Sequence, residues 1–237
     1  MLSRFTSLFS DLPLFLLRIP VVLLALTVHE CAHARAAEKL GDGTARAFGR
    51  ITLNPLKHLD PIGALMLLLC GFGWAKPVPI NSRNFKKPRS GMALTALAGP
   101  LSNLLLGFLG CALYKVLLLI FTRCGFISGN MILTSSSFSA SLIQYSVSFA
   151  VLFYSINISL AIFNLLPIPP LDGSRLLGLL LPAKWYYTVM RYERYIYMGM
   201  MLLLVFTDLF TVPLSFLVST TIQGMLWLLE RFPFFRF

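Results

Sequence analysis

The chain has 237 residues, of which 57% are apolar and only 12% are charged, and its mean hydropathy is +0.78. Soluble globular domains carry about 25% charged residues, so this composition excludes a water-soluble enzyme and a disordered chain. The 20 Lys and Arg against 9 Asp and Glu give a formal net charge of +11. In so apolar a chain, we expect the basic excess to mark membrane orientation rather than binding to nucleic acid.

Long apolar segments predict an all-α, polytopic membrane protein, because a bilayer core takes about 20 residues of helix. The predicted helices lie at 12–40, 92–121, 142–166, 196–206 and 212–229, and the last two form a C-terminal pair of transmembrane helices. Two shorter apolar segments, 62–72 and 176–181, cannot cross a bilayer unaided. We predict that both are re-entrant or interfacial.

Two segments between the first two predicted helices carry turn and breaker residues. Residues 43–54 contain Gly43 and Gly49 and then alternate in polarity, which predicts a short membrane-associated β-hairpin. The Lys76–Pro79 segment has proline at every second position and predicts a stiff, extended chain.

The basic residues orient the protein. Residues 35–89 hold ten of the twenty Lys and Arg and only three acids, whereas residues 123–140 hold Arg123 alone. The positive-inside rule therefore predicts that 35–89 is cytoplasmic, that 123–140 is outside and that the N-terminus is outside.

The first predicted helix contains His29-Glu30-Cys31-Ala32-His33, an H-E-x-x-H pattern. A spacing of four residues places both imidazoles on one face of a helix, where they can bind one metal ion. Glu30 between them then stands beside the open position of the metal, where it can take a proton from bound water. A helix end with polar residues at the cytoplasm is the alternative, but ionisable residues in a membrane helix are costly and mark function.

A catalytic zinc site needs a third protein ligand. The four cysteines show no C-x-x-C spacing and favour buried thiols, so the candidates are Glu38, Asp42, His58, Asp60 and Asp172. His33 precedes the basic loop by two residues, and the predicted helix at 142–166 reaches the same cytoplasmic level just before Asp172. Depth in the membrane therefore favours Asp172, although Pro-Pro-Leu-Asp-Gly alone would predict a plain turn.

With these residues in place, the sequence closely resembles the site-2 protease family of intramembrane zinc metalloproteases. The resemblance is carried by His29-Glu30-x-x-His33, by Ala98-Gly99-Pro100-x-x-Asn103 and by Asn164-x-x-Pro-x-Pro-Pro-x-Asp172-Gly173. Residues 49–63 and 73–79 look like the short subgroup that lacks PDZ and CBS domains. Together these motifs cover about residues 20–180.

The resemblance implies a three-helix catalytic core, one catalytic Zn²⁺ held by His29, His33 and Asp172, and Glu30 as general base. It implies a metalloendopeptidase that cleaves the transmembrane segment of membrane-protein substrates near the cytoplasmic face. In the family, the segment after the first core helix can form a β-hairpin that engages substrate, and 43–54 would be its counterpart. Iron or cobalt could occupy such a ligand set in principle.

The sequence leaves several roles open. Asn103 could donate to the oxyanion of the reaction or form a helix–helix hydrogen bond. His58 and Asp60 could support the metal ligands or belong to a loop turn, and the turn is favoured. A membrane metal transporter and an inactive scaffold that binds transmembrane clients are the alternative functions.

We expect one integral-membrane peptidase domain over 1–237, with a core at 12–182 and a C-terminal helical pair at 195–230. The expected partners are transmembrane substrates and the lipid bilayer, without nucleic acid. The expected location is the bacterial cytoplasmic (inner) membrane, as a multi-pass protein.

Overall fold

The computed structural model describes residues 12–70, 75–128, 131–133, 136–207 and 209–235, and within them the chain is mostly helical. The α-helices, in chain order, are α1 (Leu12–Lys39), α2 (Thr44–Ala47), α3 (Pro61–Cys70), α4 (Pro88–Arg123), α5 (Ser137–Leu165), α6 (Gly173–Leu180), α7 (Ala183–Arg191), α8 (Glu193–Phe206) and α9 (Thr211–Glu230). Two-residue strands β1 (Ile127–Ser128) and β2 (Met131–Ile132) pair antiparallel between α4 and α5.

Among the described residues, four helices are long and apolar enough to cross a membrane: α1, α4, α5 and α9. Of the predicted C-terminal pair, only α9 is therefore long enough to cross a membrane. α8 has 14 residues, or about 21 Å at 1.5 Å per residue, which is less than the roughly 30 Å of a bilayer core. The three predicted core helices are all present, and α4 is longer than predicted because it begins at Pro88 and ends at Arg123.

Helices α1, α4 and α5 pack against one another and form the core of the protein. Glycines let α4 and α5 approach closely: a Cβ on Gly107 would lie 2.5 Å from Ile158, and one on Gly110 would lie 2.8 Å from Phe153. Small residues at helix contacts are the usual means of close packing in membranes. α9 covers α4 and α5, and Lys115 of α4 pairs with Glu230 at its end (2.6 Å).

The predicted hairpin at 43–54 is wrong. Residues 44–47 form the helix α2, a 3₁₀ turn follows at Pro55–Lys57, and no strand lies between them. Asp42 Oδ1 accepts a hydrogen bond from the N–H of Thr44 and so starts the turn. Gly49 (φ +63°) then ends the helix, with Arg50 N donating to Ala45 O, in the Schellman pattern. The glycine that suggested a hairpin turn is a helix C-terminal residue.

Two further predictions, the stiff segment at 76–79 and the short apolar segments, have different outcomes. Residues 75–80 are neither helix nor strand, as the prolines at 77 and 79 predicted. The short apolar segments are the helices α3 and α6, of ten and eight residues, and neither is long enough to cross a bilayer. Their re-entrant placement stays a prediction, and residues 71–74, which include the end of the first short segment and the start of the 73–79 motif, lie outside the described residues.

Candidate metal centre

The structure brings His29, His33 and Asp172 together. One potential ligand atom from each residue lies within 4.8 Å of the others, and no other such group of three occurs among the described residues. Oδ2 of Asp172 lies 3.1 Å from Nε2 of His29 and 3.2 Å from Nε2 of His33. Both histidines are 6% exposed. The other third-ligand candidates lie elsewhere.

The two histidines share one face of α1, one turn apart, with their ring centroids 4.6 Å from each other. Nδ1 of His33 lies 2.7 Å from the carbonyl oxygen of Thr95 in α4. A carbonyl can only accept, so this ring nitrogen carries the hydrogen and Nε2 of a neutral His33 has a free lone pair. The hydrogen bond therefore fixes the orientation and tautomer that a metal ligand needs.

Asp172 stands at the N-cap position of α6 but makes no capping hydrogen bond with its side chain. The carboxylate instead faces the histidines. Gly173 makes this turn possible, because any Cβ there would overlap the main chain at Leu165 and Leu166, where α5 ends. The Pro169–Pro170 peptide bond in the preceding loop is cis.

The electrostatics of the cluster favour a cation. Burial raises the pKa of the Asp172 carboxyl, but the His33 and His29 rings outweigh burial and hold the pKa well below its usual value. Asp172 is therefore an anion, and Nε2 of His29 and Nε2 of His33 lie 3.1 and 3.2 Å from its Oδ2. At those distances a proton or a metal cation must lie between each ring nitrogen and the carboxylate. Nδ1 of His29 is buried without a hydrogen-bond partner among the described residues.

Gly99 of α4 lies directly against both imidazoles. A Cβ at this position would overlap Nε2 of His33 and would lie 2.6 Å from Nε2 of His29. Only a residue without a side chain lets the α4 backbone come this close. The two histidines, Asp172 and the bare backbone at Gly99 thus form a small site whose donor set, two imidazoles and a carboxylate, fits Zn²⁺.

Glu30 lies beside this cluster and is 8% exposed. The backbone N–H of Val78 donates to its Oε2 (3.2 Å). Val78 is part of the extended segment 75–80, so this segment crosses the site next to the predicted base. The N–H of Val78 was not foreseen from the sequence, because a backbone donor has no residue-type signal.

The extended segment 75–80 is held at its start. Lys76 N–H donates to the carbonyl of His58 (2.9 Å), and Nη2 of buried Arg50 donates to the carbonyl of Lys76 (2.5 Å). The segment is also held where it ends, since Asn81 N–H donates to Oδ2 of Asp42 (2.7 Å). Arg50, the His58 turn and the Asp42 loop therefore fix the chain that contacts Glu30.

The structure shows the contacts of His58 and Asp60, whose roles the sequence leaves open. Asp60 Oδ1 accepts from Gly63 N–H (2.9 Å) and starts α3, while Nε2 of His58 contacts the carbonyl of Thr52 (2.8 Å). Both residues thus hold the turn. Asn103 lies one helical turn beyond Gly99, is fully buried, and its Nδ2 has no hydrogen-bond partner among the described residues.

Comparison with known proteins identifies the family to which the chain is related. The model of "Peptidase family M50" matches residues 18–207. The chain is 42% identical over 194 residues to the Bacillus subtilis (strain 168) protein named "Putative zinc metalloprotease YwhC", covering 82% of this chain and 80% of that protein. It is 30% identical over 164 residues to the Mycolicibacterium smegmatis protein named "Putative zinc metalloprotease Rip2", covering 67% and 55% of the two chains. No solved structure matches.

The family match covers most of the chain, and its range includes the histidines, Gly99 and Asp172. Four of the described helices are long and apolar enough to cross a membrane. The chain therefore belongs to peptidase family M50, the site-2 protease family, and is a multi-pass membrane protein.

Proposed function

We propose that this protein is an intramembrane zinc metalloprotease that hydrolyses a peptide bond in or near the transmembrane segment of membrane-protein substrates. The observation that carries the proposal is the convergence of His29, His33 and Asp172 beside Glu30, on helices α1 and α6 of a membrane protein. The names of both relatives, as zinc metalloproteases, agree with it.

One Zn²⁺ would be held by Nε2 of His29, Nε2 of His33 and Oδ2 of Asp172. Bound zinc would supply a Lewis acid and would lower the pKa of water at the site toward neutrality. The approach of both Nε2 atoms to the Asp172 carboxylate, at 3.1 and 3.2 Å, and the close backbone at Gly99 support a cation at this point.

In this mechanism, Glu30 is the general base. Its carboxylate accepts a proton from the attacking water and returns a proton to the nitrogen of the leaving amine. The Val78 N–H holds Oε2, so the carboxyl group has a fixed position while it moves protons. Asn103 Nδ2, a buried donor without a partner among the described residues, would donate to the oxyanion of the scissile carbonyl.

A substrate helix satisfies its own backbone hydrogen bonds and must unwind before hydrolysis. We propose that the extended segment 75–80 receives the unwound chain. Pro77 and Pro79 have no N–H, and the N–H groups of Lys76 and Val78 are already used. The carbonyls of Pro77, Val78 and Pro79 have no partner among the described residues, and those on the edge that faces the substrate would accept its N–H groups.

We place the protein in a bacterial cytoplasmic membrane, with the N-terminus outside and the site near the cytoplasmic face. The basic residues of 35–89 support this orientation by the positive-inside rule. Both relatives come from bacteria.

The test uses the purified full chain in proteoliposomes that also contain a single-span substrate protein. We expect cleavage fragments with zinc, no fragments after treatment with a chelator, and recovery when zinc is returned. The same vesicles, loaded with a zinc-sensitive dye, should show no zinc flux. Flux without cleavage would replace the proposal with a transporter, and retention of the substrate without cleavage or flux would replace it with a client-binding scaffold.

A further inference from the structure

We propose that α7 and the residues that flank it, 182–195, form a binding site for the headgroup of an anionic phospholipid. One short helix, α6, separates this site from Asp172 of the candidate metal centre along the chain. The inference does not depend on the proposed proteolysis.

The site has three cations without protein counter-charges. Lys184 and Arg191 are seven residues apart, so they lie on one face of α7 two turns apart. Arg194 follows at the start of α8, and all three residues are exposed. None of them forms an ion pair with another described residue, since the nearby Glu193 pairs with Arg175 (3.3 Å). These cations fit phosphate groups.

Exposed aromatic and apolar side chains border the same face. Trp185 is 65% exposed and Tyr187 is 62% exposed, and at 100° per residue they fall on opposite sides of the Lys184–Arg191 line. Leu180, at the end of α6, is 78% exposed. Aromatic residues of this kind concentrate at the boundary between lipid and water, where a ring contacts both.

The level of α7 in the fold agrees with an interfacial position. α5 is a candidate span that ends at Leu165, and α6 and α7, of eight and nine residues, follow it without crossing. A short amphipathic helix with basic residues on one face and aromatic residues beside it lies in the plane of the membrane surface. A ligand that matches both cations and apolar side chains is itself amphiphilic, so we assign an anionic phospholipid.

The surface is fixed to the body of the protein. Tyr186 of α7 is buried and faces Gly178 of α6, where an added Cβ would lie 3.3 Å from the ring. The guanidinium of Arg175 in α6 contacts Sδ of Met190 (3.2 Å) as well as Glu193. α6, α7 and the start of α8 therefore present the three cations from a connected scaffold.

Fluorescence quenching at Trp185 tests the proposal. The full chain is reconstituted in phosphatidylcholine vesicles that contain a minor fraction of brominated phosphatidylglycerol or, in parallel, of brominated phosphatidylcholine. The signal of Trp185 is the difference between the wild-type chain and the Trp185→Phe variant. Because each cation near the surface favours anionic lipid by roughly fivefold, we expect phosphatidylglycerol to occupy the site at least about tenfold more strongly.

The triple variant Lys184→Gln, Arg191→Gln, Arg194→Gln should lose this preference. The matched control, Lys86→Gln, Lys87→Gln, Arg89→Gln, removes equal charge from exposed residues at the start of α4 and should keep it. Equal quenching by the two lipids in the wild type, or an unchanged preference in the first triple variant, would overturn the proposal. An equal loss in the control would also overturn it, because the effect would then be one of total charge.

Discussion

Nδ1 of His33 lies 2.7 Å from the carbonyl oxygen of Thr95, so a backbone group of α4 sets the ring orientation of a predicted ligand on α1. Gly99 is one turn further along α4 and lies against the same ring. α4 contributes no predicted zinc ligand, but its backbone contacts the site at two positions, Thr95 and Gly99. This relationship makes the α1–α4 contact a determinant of metal binding.

Gly99→Ala tests that contact. The new methyl group would overlap both imidazoles, so the histidines would have to move, and we expect zinc affinity to fall by at least the roughly 10–100-fold seen for lost supporting contacts. The measurement is zinc content of the purified variant after dialysis against a graded zinc buffer. Gly199→Ala in α8 is the control, because a Cβ there meets nothing within 4 Å. Unchanged zinc content in Gly99→Ala would contradict the close approach.

Arg50→Ala tests how the extended segment 75–80 is held beside Glu30. The Arg50 guanidinium donates to the carbonyl of Lys76, and its loss removes a charged hydrogen bond of about 1.5–3 kcal/mol. We expect hydrogen–deuterium exchange in 76–80 to rise by about tenfold and cleavage to slow. Arg46→Ala removes an exposed arginine of the preceding helix α2 and should leave exchange in this segment unchanged. Equal protection from exchange in Arg50→Ala and the wild type would contradict this role of Arg50, because other contacts would then be sufficient to hold the segment.

Asn103→Ala separates its two proposed roles. If Nδ2 donates to the oxyanion, kcat should fall by about 10²–10³ while zinc content and melting temperature stay near those of the wild type. A helix–helix hydrogen bond predicts the reverse, with a lower melting temperature and little change in kcat. Asn157→Ala is the matched control, since Asn157 is also fully buried but donates to the carbonyl of Phe153.

The stability of the protein should depend on pH through the ionisation of the Asp42 carboxyl group. Burial raises the pKa of this carboxyl, but hydrogen bonds from Thr44, Asn81 and Asn84 outweigh burial and lower the pKa below its usual value. The stabilising contribution is therefore full above the unfolded pKa of about 4 and is lost as pH falls below it. Asp42→Asn should melt lower than the wild type at pH 7, and the difference should shrink below pH 4.

Thermal unfolding in detergent, followed by circular dichroism, measures this difference. The control is Glu38→Gln, which removes an ion pair with exposed Arg46 and should cost under about 1 kcal/mol. A stability difference between Asp42→Asn and the wild type that stays constant from pH 7 to pH 3 would contradict the role given to the ionised carboxylate.

Patterns of side chains allowed much of this organisation to be predicted. Apolar length located the three core helices, H-E-x-x-H placed two imidazoles on one face, and the membrane depth of Asp172 singled it out from four other candidates. The prolines at 77 and 79 predicted the extended segment. Each of these signals consists of residue types at particular positions in the sequence. Such signals can be recognised without knowledge of how the helices pack.

Other features could not be foreseen because backbone groups or packing determine them. The carbonyl of Thr95 and the N–H of Val78 are present in any residue, so their roles emerge only when α1, α4 and the 75–80 segment come together. The sequence around Gly49 predicts a hairpin turn, although a positive φ serves a helix end equally well. Hydropathy also predicts a transmembrane helix at 196–206, but α8 has only 14 residues and is too short to cross a bilayer unaided.

The most direct test of the central claim is a paired measurement on Glu30→Gln, with zinc content and substrate cleavage determined on one reconstituted preparation. Gln keeps the shape of the side chain and removes the base, while His29, His33 and Asp172 are untouched. The account predicts about one zinc per chain, as in the wild type, and cleavage reduced by at least about 10²-fold. Appreciable cleavage by this variant would contradict the assignment of Glu30, and a zinc-free variant with a normal melting temperature would contradict the proposed ligand set.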